Sequence, residues 1–227
     1  MFATAAALHD IEKRYKTFTL GPLTLTIPAG SIVGLVGENG AGKTTTLKLL
    51  TGVIRPSAGR AELLGGNPAD PATRARIGVV FEDAYFYENL TAAQVGRSMA
   101  GIFGARWQPE AFAGYLTRFG LDPRQKIKEY SRGMRMKLSL ATALAHAPEL
   151  LVLDEPTAGL DPVVRGEILD LFLDFIQDET RSILMSSHIT ADLEQVADSI
   201  AYLHKGRLLF QEDKDELLAE YGLLRCA

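Results

Sequence analysis

One cysteine, Cys226, stands among 227 residues, so the chain can build no disulfide framework and no cysteine-based metal site. That scarcity fits a reducing compartment. No apolar run approaches the roughly 20 residues that a bilayer-spanning helix needs. Positive charge is not in excess. Lys and Arg number 24 against 28 Asp and Glu, a net charge of −4, so no nucleic-acid partner is expected. Internal repeats, low-complexity linkers and heptad runs are also missing, which argues against solenoids and coiled coils. No basic segment precedes the alanine-rich N-terminus, so no secretory signal is expected. What is plentiful is apolar. Hydrophobic content is 47%, enough for one large domain or one domain with an insertion.

Against that background one segment carries chemistry. Gly37-Glu38-Asn39-Gly40-Ala41-Gly42-Lys43-Thr44-Thr45 fits G-x-x-x-x-G-K-[ST]. Ile32-Val33-Gly34-Leu35-Val36 ahead of it is an apolar run of strand length, and Thr46-Leu47-Lys48-Leu49-Leu50 behind it is helix-forming. Strand, glycine loop and helix is the context a phosphate-binding loop demands. The glycines let the backbone turn its N–H groups inward. The helix N-terminus adds partial positive charge and Lys43 a full one, while Thr44 offers a hydroxyl to Mg²⁺. A glycine-rich turn with an incidental lysine would not match every fixed position with these flanks.

Leu150-Leu151-Val152-Leu153 is a buried-type strand running into Asp154 and Glu155. An acid at the carboxyl end of such a strand, beside a phosphate loop, can hold Mg²⁺. The next acid can orient or deprotonate an attacking water. Tyr130-Ser131-Arg132-Gly133-Met134 opens a second helix-forming run, with Ser131 at the N-cap position and Pro148 expected to close the element. Its amino end is a second anion-binding device. One nucleotide does not need two from one chain, so this end is expected to grip the nucleotide of a neighbouring copy.

These residues, in this order, resemble the nucleotide-binding subunit of an ATP-binding cassette (ABC) transporter over nearly the whole chain. The resemblance implies ATP and Mg²⁺ as cofactors, and it assigns Gly37 to Thr45 to the Walker A loop and Asp154 and Glu155 to Walker B. It places Tyr15 where an aromatic stacks on adenine, Glu82 at the Q-loop position and Ser131 and Gly133 in the signature motif. Asp161, in Gly159-Leu160-Asp161, falls in the D-loop, and His188 is the switch histidine. Catalysis then rests on Glu155, His188 and Glu82, and metal binding on Thr44, Glu82 and Asp154. Two departures stand out. The signature reads Tyr-Ser-Arg-Gly-Met instead of Leu-Ser-Gly-Gly-Gln, a form similar to bacterial export subunits, and the Q-loop glutamine is Glu82 in Phe81-Glu82-Asp83.

The resemblance and the patterning together imply an α/β fold: a P-loop NTPase core with a mostly parallel sheet, an N-terminal antiparallel β subdomain and an inserted α-helical subdomain. Residues 1–30 and 55–66 are expected to form the β subdomain. Residues 31–54, 67–87 and 146–205 form the core, 88–145 the helical insertion, and 206–227 a C-terminal hairpin and helix. Strict alternation in Leu23-Thr24-Leu25-Thr26-Ile27 reads as a half-buried strand, and Ala61 to Leu64 as another. Ile77 to Phe81 and Ser182 to Ser186 read as core strands. Ile168, Leu171, Phe172, Phe175 and Ile176 share one face of a crossover helix, which calls for a parallel sheet. Glu82, Asp154 and His188 fall at carboxyl ends of these strands, where ligands bind. A short helix at 191–197, a turn at Lys205-Gly206 and a helix from Asp213, spaced with Glu216 as a capping box, complete the reading.

The implied partners are a second copy or paralogue of the subunit and an integral membrane permease in another chain, at the cytoplasmic face of the cell membrane. Tyr85, Phe86, Tyr87 and Leu90 read either as core of the insertion or as a groove for a permease helix. The basic run Arg124, Lys126, Lys128, Arg132, Arg135 and Lys137 reads as a solvated face or as electrostatic guidance of ATP toward the interface. A non-transport ABC ATPase is the alternative, but its long coiled coils or paired cassettes are not found here. A GTPase would need Asn-Lys-x-Asp, which is also not found.

Overall fold

Alternating burial builds the first sheet. In the computed structural model, which describes residues 4–82 and 85–220, strand β1 (Thr4–Arg14) pairs antiparallel with β2 (Thr19–Pro28). Leu20, Leu23, Leu25 and Ile27 of β2 point inward and their neighbours outward. The third strand, β4 (Ala58–Leu63), arrives only after β3 (Ile32–Val36) and helix α1 (Lys43–Leu50) have entered the second layer. The order is β2-β1-β4. Cys226, and Asp83 beside Glu82, lie outside the described residues.

The second sheet carries the chemistry. Helix α2 (Pro71–Arg74) leads to β5 (Ile77–Val80), and α3 (Ala92–Phe103), α4 (Pro109–Arg118) and α5 (Arg132–Leu144) follow before β6 (Leu150–Asp154). Helix α6 (Pro162–Ile176) crosses to β7 (Ser182–Ser187), and α7 (Thr190–Val196) to β8 (Ser199–His204). Strand β9 (Arg207–Asp213) and α8 (Lys214–Glu220) end the described chain. The strand order is β5-β6-β7-β3-β8-β9, parallel throughout except for the β8–β9 hairpin. This is the mixed α/β architecture the sequence implies.

Both faces of this sheet are covered, as parallel sheets require. Along β6, Leu151 and Leu153 pack with Leu138, Ile168, Phe172 and Met185. Leu150 and Val152 pack on the other face with Leu47, Leu50, Val33 and the apolar side of the antiparallel sheet. The crossover helix buries Ile168, Leu171, Phe172 and Phe175 as its spacing predicts, adds Leu169, and leaves Ile176 half-buried.

Several local expectations change. Helix α5 stops at Leu144, before Pro148, because Ala145 caps it onto the Ala141 carbonyl and Ala147 turns the chain at φ 51°. Pro109 starts α4, since a first-turn residue needs no N–H. Asp213 ends β9, and its carboxylate accepts from the Asp215 and Glu216 amides to open α8. The basic run is not simply solvated. Lys137 is buried and lies 2.5 Å from Glu167 on α6, because α5 packs against that helix.

His146, just beyond α5, is 1% exposed. Its ring stacks on Phe103 at 4.0 Å, and Nε2 lies 3.0 Å from the Ile77 carbonyl oxygen. Burial pushes its pKa below the ordinary 6.5, more than the nearby carbonyl opposes. The unfolded chain therefore binds a proton as pH falls through 6.5 while the folded chain does not. Stability is full above 6.5 and is lost below it. Thermal midpoints should drop between about pH 7 and pH 5, and His146→Gln should flatten that slope. An unchanged slope in the variant would assign the acid sensitivity elsewhere.

Candidate active site

The loop after β3 is shaped by two different demands on glycine. Gly37 must let the backbone pass close, because a Cβ there would sit 2.3 Å from the Leu203 carbonyl oxygen on β8. Gly42 must be left-handed, at φ 111°, as the N-cap of α1. No side chain caps that helix, so its first-turn amides are left for an anion. Lys43, 6% exposed, folds over the loop. Its Nζ donates to the Gly37 carbonyl at 2.7 Å and lies 3.2 Å from Glu155 Oε1.

The ends of β6 and β7 bring the remaining groups to this loop. Asp154 is 2% exposed and accepts from the Thr44 hydroxyl at 2.7 Å and the Ser186 hydroxyl at 2.6 Å. Glu155, 7% exposed, has φ 49°, a strained value for a residue with a Cβ. Its amide donates to Ser186 Oγ at 3.0 Å. Its Oε2 accepts from the His188 amide at 3.2 Å and faces His188 Nδ1 at 2.7 Å. An ionised carboxylate only accepts, so the neutral ring carries its proton on Nδ1, an assignment made from the hydrogen-bond network. His188 is half exposed, so its other edge can meet a ligand.

Beside them opens a cleft of about 440 Å³ lined by Glu38, Asn39, Gly40, Gly42, Lys43, Thr44 and Thr45, with Phe18, Glu82 and Glu155; Asp154 and His188 stand behind Thr44 and Glu155. Among the described residues no trio of His, Cys, Asp or Glu side chains is poised to hold a metal. The hydroxyl of Thr44 and carboxylate of Asp154 are nonetheless hard oxygen donors held against each other, which suits Mg²⁺ completed by waters and phosphate. Glu155 Oε1 is buried without a hydrogen bond, beside the one ammonium that would turn to a phosphate. The residues therefore fit a magnesium–nucleotide complex.

The structure thus brings Lys43, Thr44, Asp154, Glu155, His188 and Glu82 together. Glu82 lines the cleft, and its Oε1 lies 3.1 Å from an Arg132 guanidinium nitrogen at the start of α5. Ser131, Gly133 and Asp161 do not line this cleft. Ser131 caps α5 through the Met134 amide, and Asp161 caps α6 through the Val163 and Val164 amides. Tyr15 also stands outside the lining, 46% exposed, with the Lys13 ammonium 5.7 Å from its ring centroid. Its amide donates to the Phe18 carbonyl, so two aromatics bracket one turn, and Phe18 is the one that faces the loop. Sequence reasoning missed Phe18 and Ser186. Ser186 could have been noticed as a hydroxyl near the carboxyl end of a largely apolar strand, two residues before His188.

Comparison with known proteins adds three findings. The family profile described as ABC transporter matches residues 20–158. An ABC transporter ATP-binding protein of Synechocystis sp. is 38% identical over 95% of this chain and 65% of its own length. The fluoroquinolones export ATP-binding protein of Mycobacterium tuberculosis is 38% identical over 86% of this chain, again 65% of its own length. The chain thus spans slightly under two thirds of either relative. Among solved structures, an ATP-binding subunit of an ABC transporter superposes with a TM-score of 0.84 at 28% identity, covering 96% of this chain and 93% of that one.

Proposed function

The chain belongs to the ABC transporter family, and from that premise we propose that it hydrolyses ATP as the nucleotide-binding subunit of a membrane exporter. The observation that carries this reading is the joining of Lys43, Glu155 and His188 by contacts of 3.2 and 2.7 Å beside the Thr44–Asp154 pair. Loop amides and Lys43 bind the outer phosphates, Lys43 exchanging Glu155 and the Gly37 carbonyl for phosphate oxygen. Thr44 and Asp154 would hold Mg²⁺, with the Glu82 carboxylate lining the same cleft, and the ion would neutralise charge on those phosphates. Glu155 accepts a proton as water adds to the γ-phosphorus and the bond to the β-phosphate oxygen breaks, giving ADP and phosphate. His188 keeps Glu155 aimed and presents its outer edge to the transferring group.

Ser131, Gly133 and the free amides of α5 lie outside the chain's own cleft, so they are available to cover the γ-phosphate in a neighbouring copy or paralogue. Asp161 would lie at that interface, and Tyr15 offers an open ring to adenine. Two nucleotides then hold two subunits head to tail, and hydrolysis releases them. Purified chain with ATP and Mg²⁺ should release phosphate and sediment as a pair with ATP but not with ADP. Monomers under both nucleotides would defeat the shared pocket.

Export as the direction rests on the Tyr-Ser-Arg-Gly-Met signature and the export relative. A permease would hold the subunit at the cytoplasmic face. Tyr85 and Tyr87, 83% and 76% exposed and in edge-to-face contact, suit the groove reading better than the core reading. Changing both to Ser should abolish co-purification with the permease and leave ATPase activity of the isolated subunit within about twofold; apolar anchors in such grooves supply affinity. Loss of folding and activity together would return them to the core.

Glu82→Gln should retain ATPase activity within about tenfold of wild type, because an amide still binds metal through water and still accepts from Arg132. Steady-state phosphate release measures this. A loss as deep as that of a Glu155 variant would mean that the carboxylate charge itself is required.

A further inference from the structure

Asp192 lies on the first turn of α7, four residues past His188, and is 0% exposed. A buried carboxylate persists only where its partners replace the lost water. Its Oδ2 accepts from the Thr157 hydroxyl at 2.5 Å, and its Oδ1 accepts from Arg165 Nε. Thr157 follows Glu155 by two residues, and Arg165 sits on α6 one turn past Asp161. One carboxylate therefore joins the turn after the candidate base, the helix that Asp161 caps, and the helix that follows the switch histidine.

This junction answers a question raised by Glu155. A non-glycine residue at φ 49° keeps that conformation only if both flanks are held. On the upstream side, Asp154 is fixed by Thr44 and Ser186, and the Glu155 amide by Ser186. On the downstream side, the buried side-chain tie is Thr157 to Asp192. We propose that Asp192 is a positioning residue for hydrolysis. By tying the Thr157 turn to the segment that carries His188, it keeps the Glu155 carboxylate against His188 and aimed at the attacking water. It touches neither nucleotide nor metal. The inference rests on the ATPase reading above.

Thr157→Val keeps the shape and removes the hydroxyl; Thr157→Ser keeps the hydroxyl. The test is steady-state ATP turnover of both variants, of Asp192→Ala and of the Thr157→Val/Asp192→Ala double variant, with folding checked by thermal melts. Small misplacements of reacting groups cost up to about 100-fold. Thr157→Val and Asp192→Ala should each lower kcat about 10- to 100-fold with KM for ATP within about threefold, since the phosphate loop is untouched. Thr157→Ser should stay within about threefold of wild type, and the double variant should lose no more than the worse single. If Asp192→Ala does not fold, the valine–serine contrast decides alone. Folded Thr157→Val with wild-type kcat, or a loss confined to KM, overturns the positioning role while wild-type turnover keeps the ATPase reading. No turnover in wild type overturns both.

Discussion

Glu155→Gln should abolish turnover while sparing nucleotide binding. Steady-state phosphate release should fall at least about 100-fold, the lower range for removing a general base. Glutamine matches the shape, so the strained backbone and its bonds to Ser186 can persist. What changes is the charge between Lys43 at 3.2 Å and His188 at 2.7 Å. A neutral amide cannot take the proton from water. It also frees Lys43 from a competing carboxylate, so ATP affinity should hold within about threefold or improve. With hydrolysis blocked, the ATP-bound pair of subunits should live longer in sedimentation or size-exclusion runs with Mg²⁺. Turnover within about tenfold of wild type would remove Glu155 from the role of base and leave the cleft as a binding site.

Much of this site could be read in advance because its parts are local. A strand, a glycine loop and a helix lie within residues 32–50, and their order alone places Lys43 and Thr44. The β6 strand likewise carries Asp154 and Glu155 at its end by contiguity. Parallel register then does the long-range work. Leu35 pairs with Ser186 and Asp154 with Ser186, so three distant segments end side by side. The alternation of β2 and the apolar face of α6 fixed which residues are buried, because period alone decides which side meets the core.

What stayed hidden depends on contacts between segments that no period encodes. Whether Tyr15 or Phe18 faces the loop is settled by a tight turn whose amide bonds across it, not by residue type. Lys137 looked solvated because its neighbours in sequence are basic, yet Glu167 of another helix lies against it. Nothing in the sequence singles out Asp192 on its short helix; only the contacts with Thr157 and Arg165 do. The turn at Lys205-Gly206 was legible, but not that β8 lies directly beside β3 in the central sheet.

That last placement yields the second large effect. Gly37→Ala should weaken ATP binding at least about 100-fold and lower the thermal midpoint by several degrees, from overpacking of about 1–3 kcal/mol. The motif marks Gly37 as invariant in type but gives no reason for it. The backbone at Gly37 does not need a left-handed angle; Gly40, at φ 83°, does. A Cβ on Gly37 would stand 2.3 Å from the Leu203 carbonyl oxygen and 3.1 Å from Ala41 Cβ, and neither neighbour is a flexible side-chain end. Strand β8 is held in the sheet by β3 and β9, so it is the loop that must move. Moving the loop displaces the Gly37 carbonyl that anchors Lys43 at 2.7 Å, and with it the cradle itself. Gly40 supplies the control. A Cβ there meets nothing within 4 Å, so Gly40→Ala pays only backbone strain, about 1 kcal/mol. Isothermal titration of ATP should therefore rank Gly37→Ala as the more damaged of the two. The reverse ranking would mean that the loop needs glycine for conformational freedom, and that its close approach to β8 is incidental.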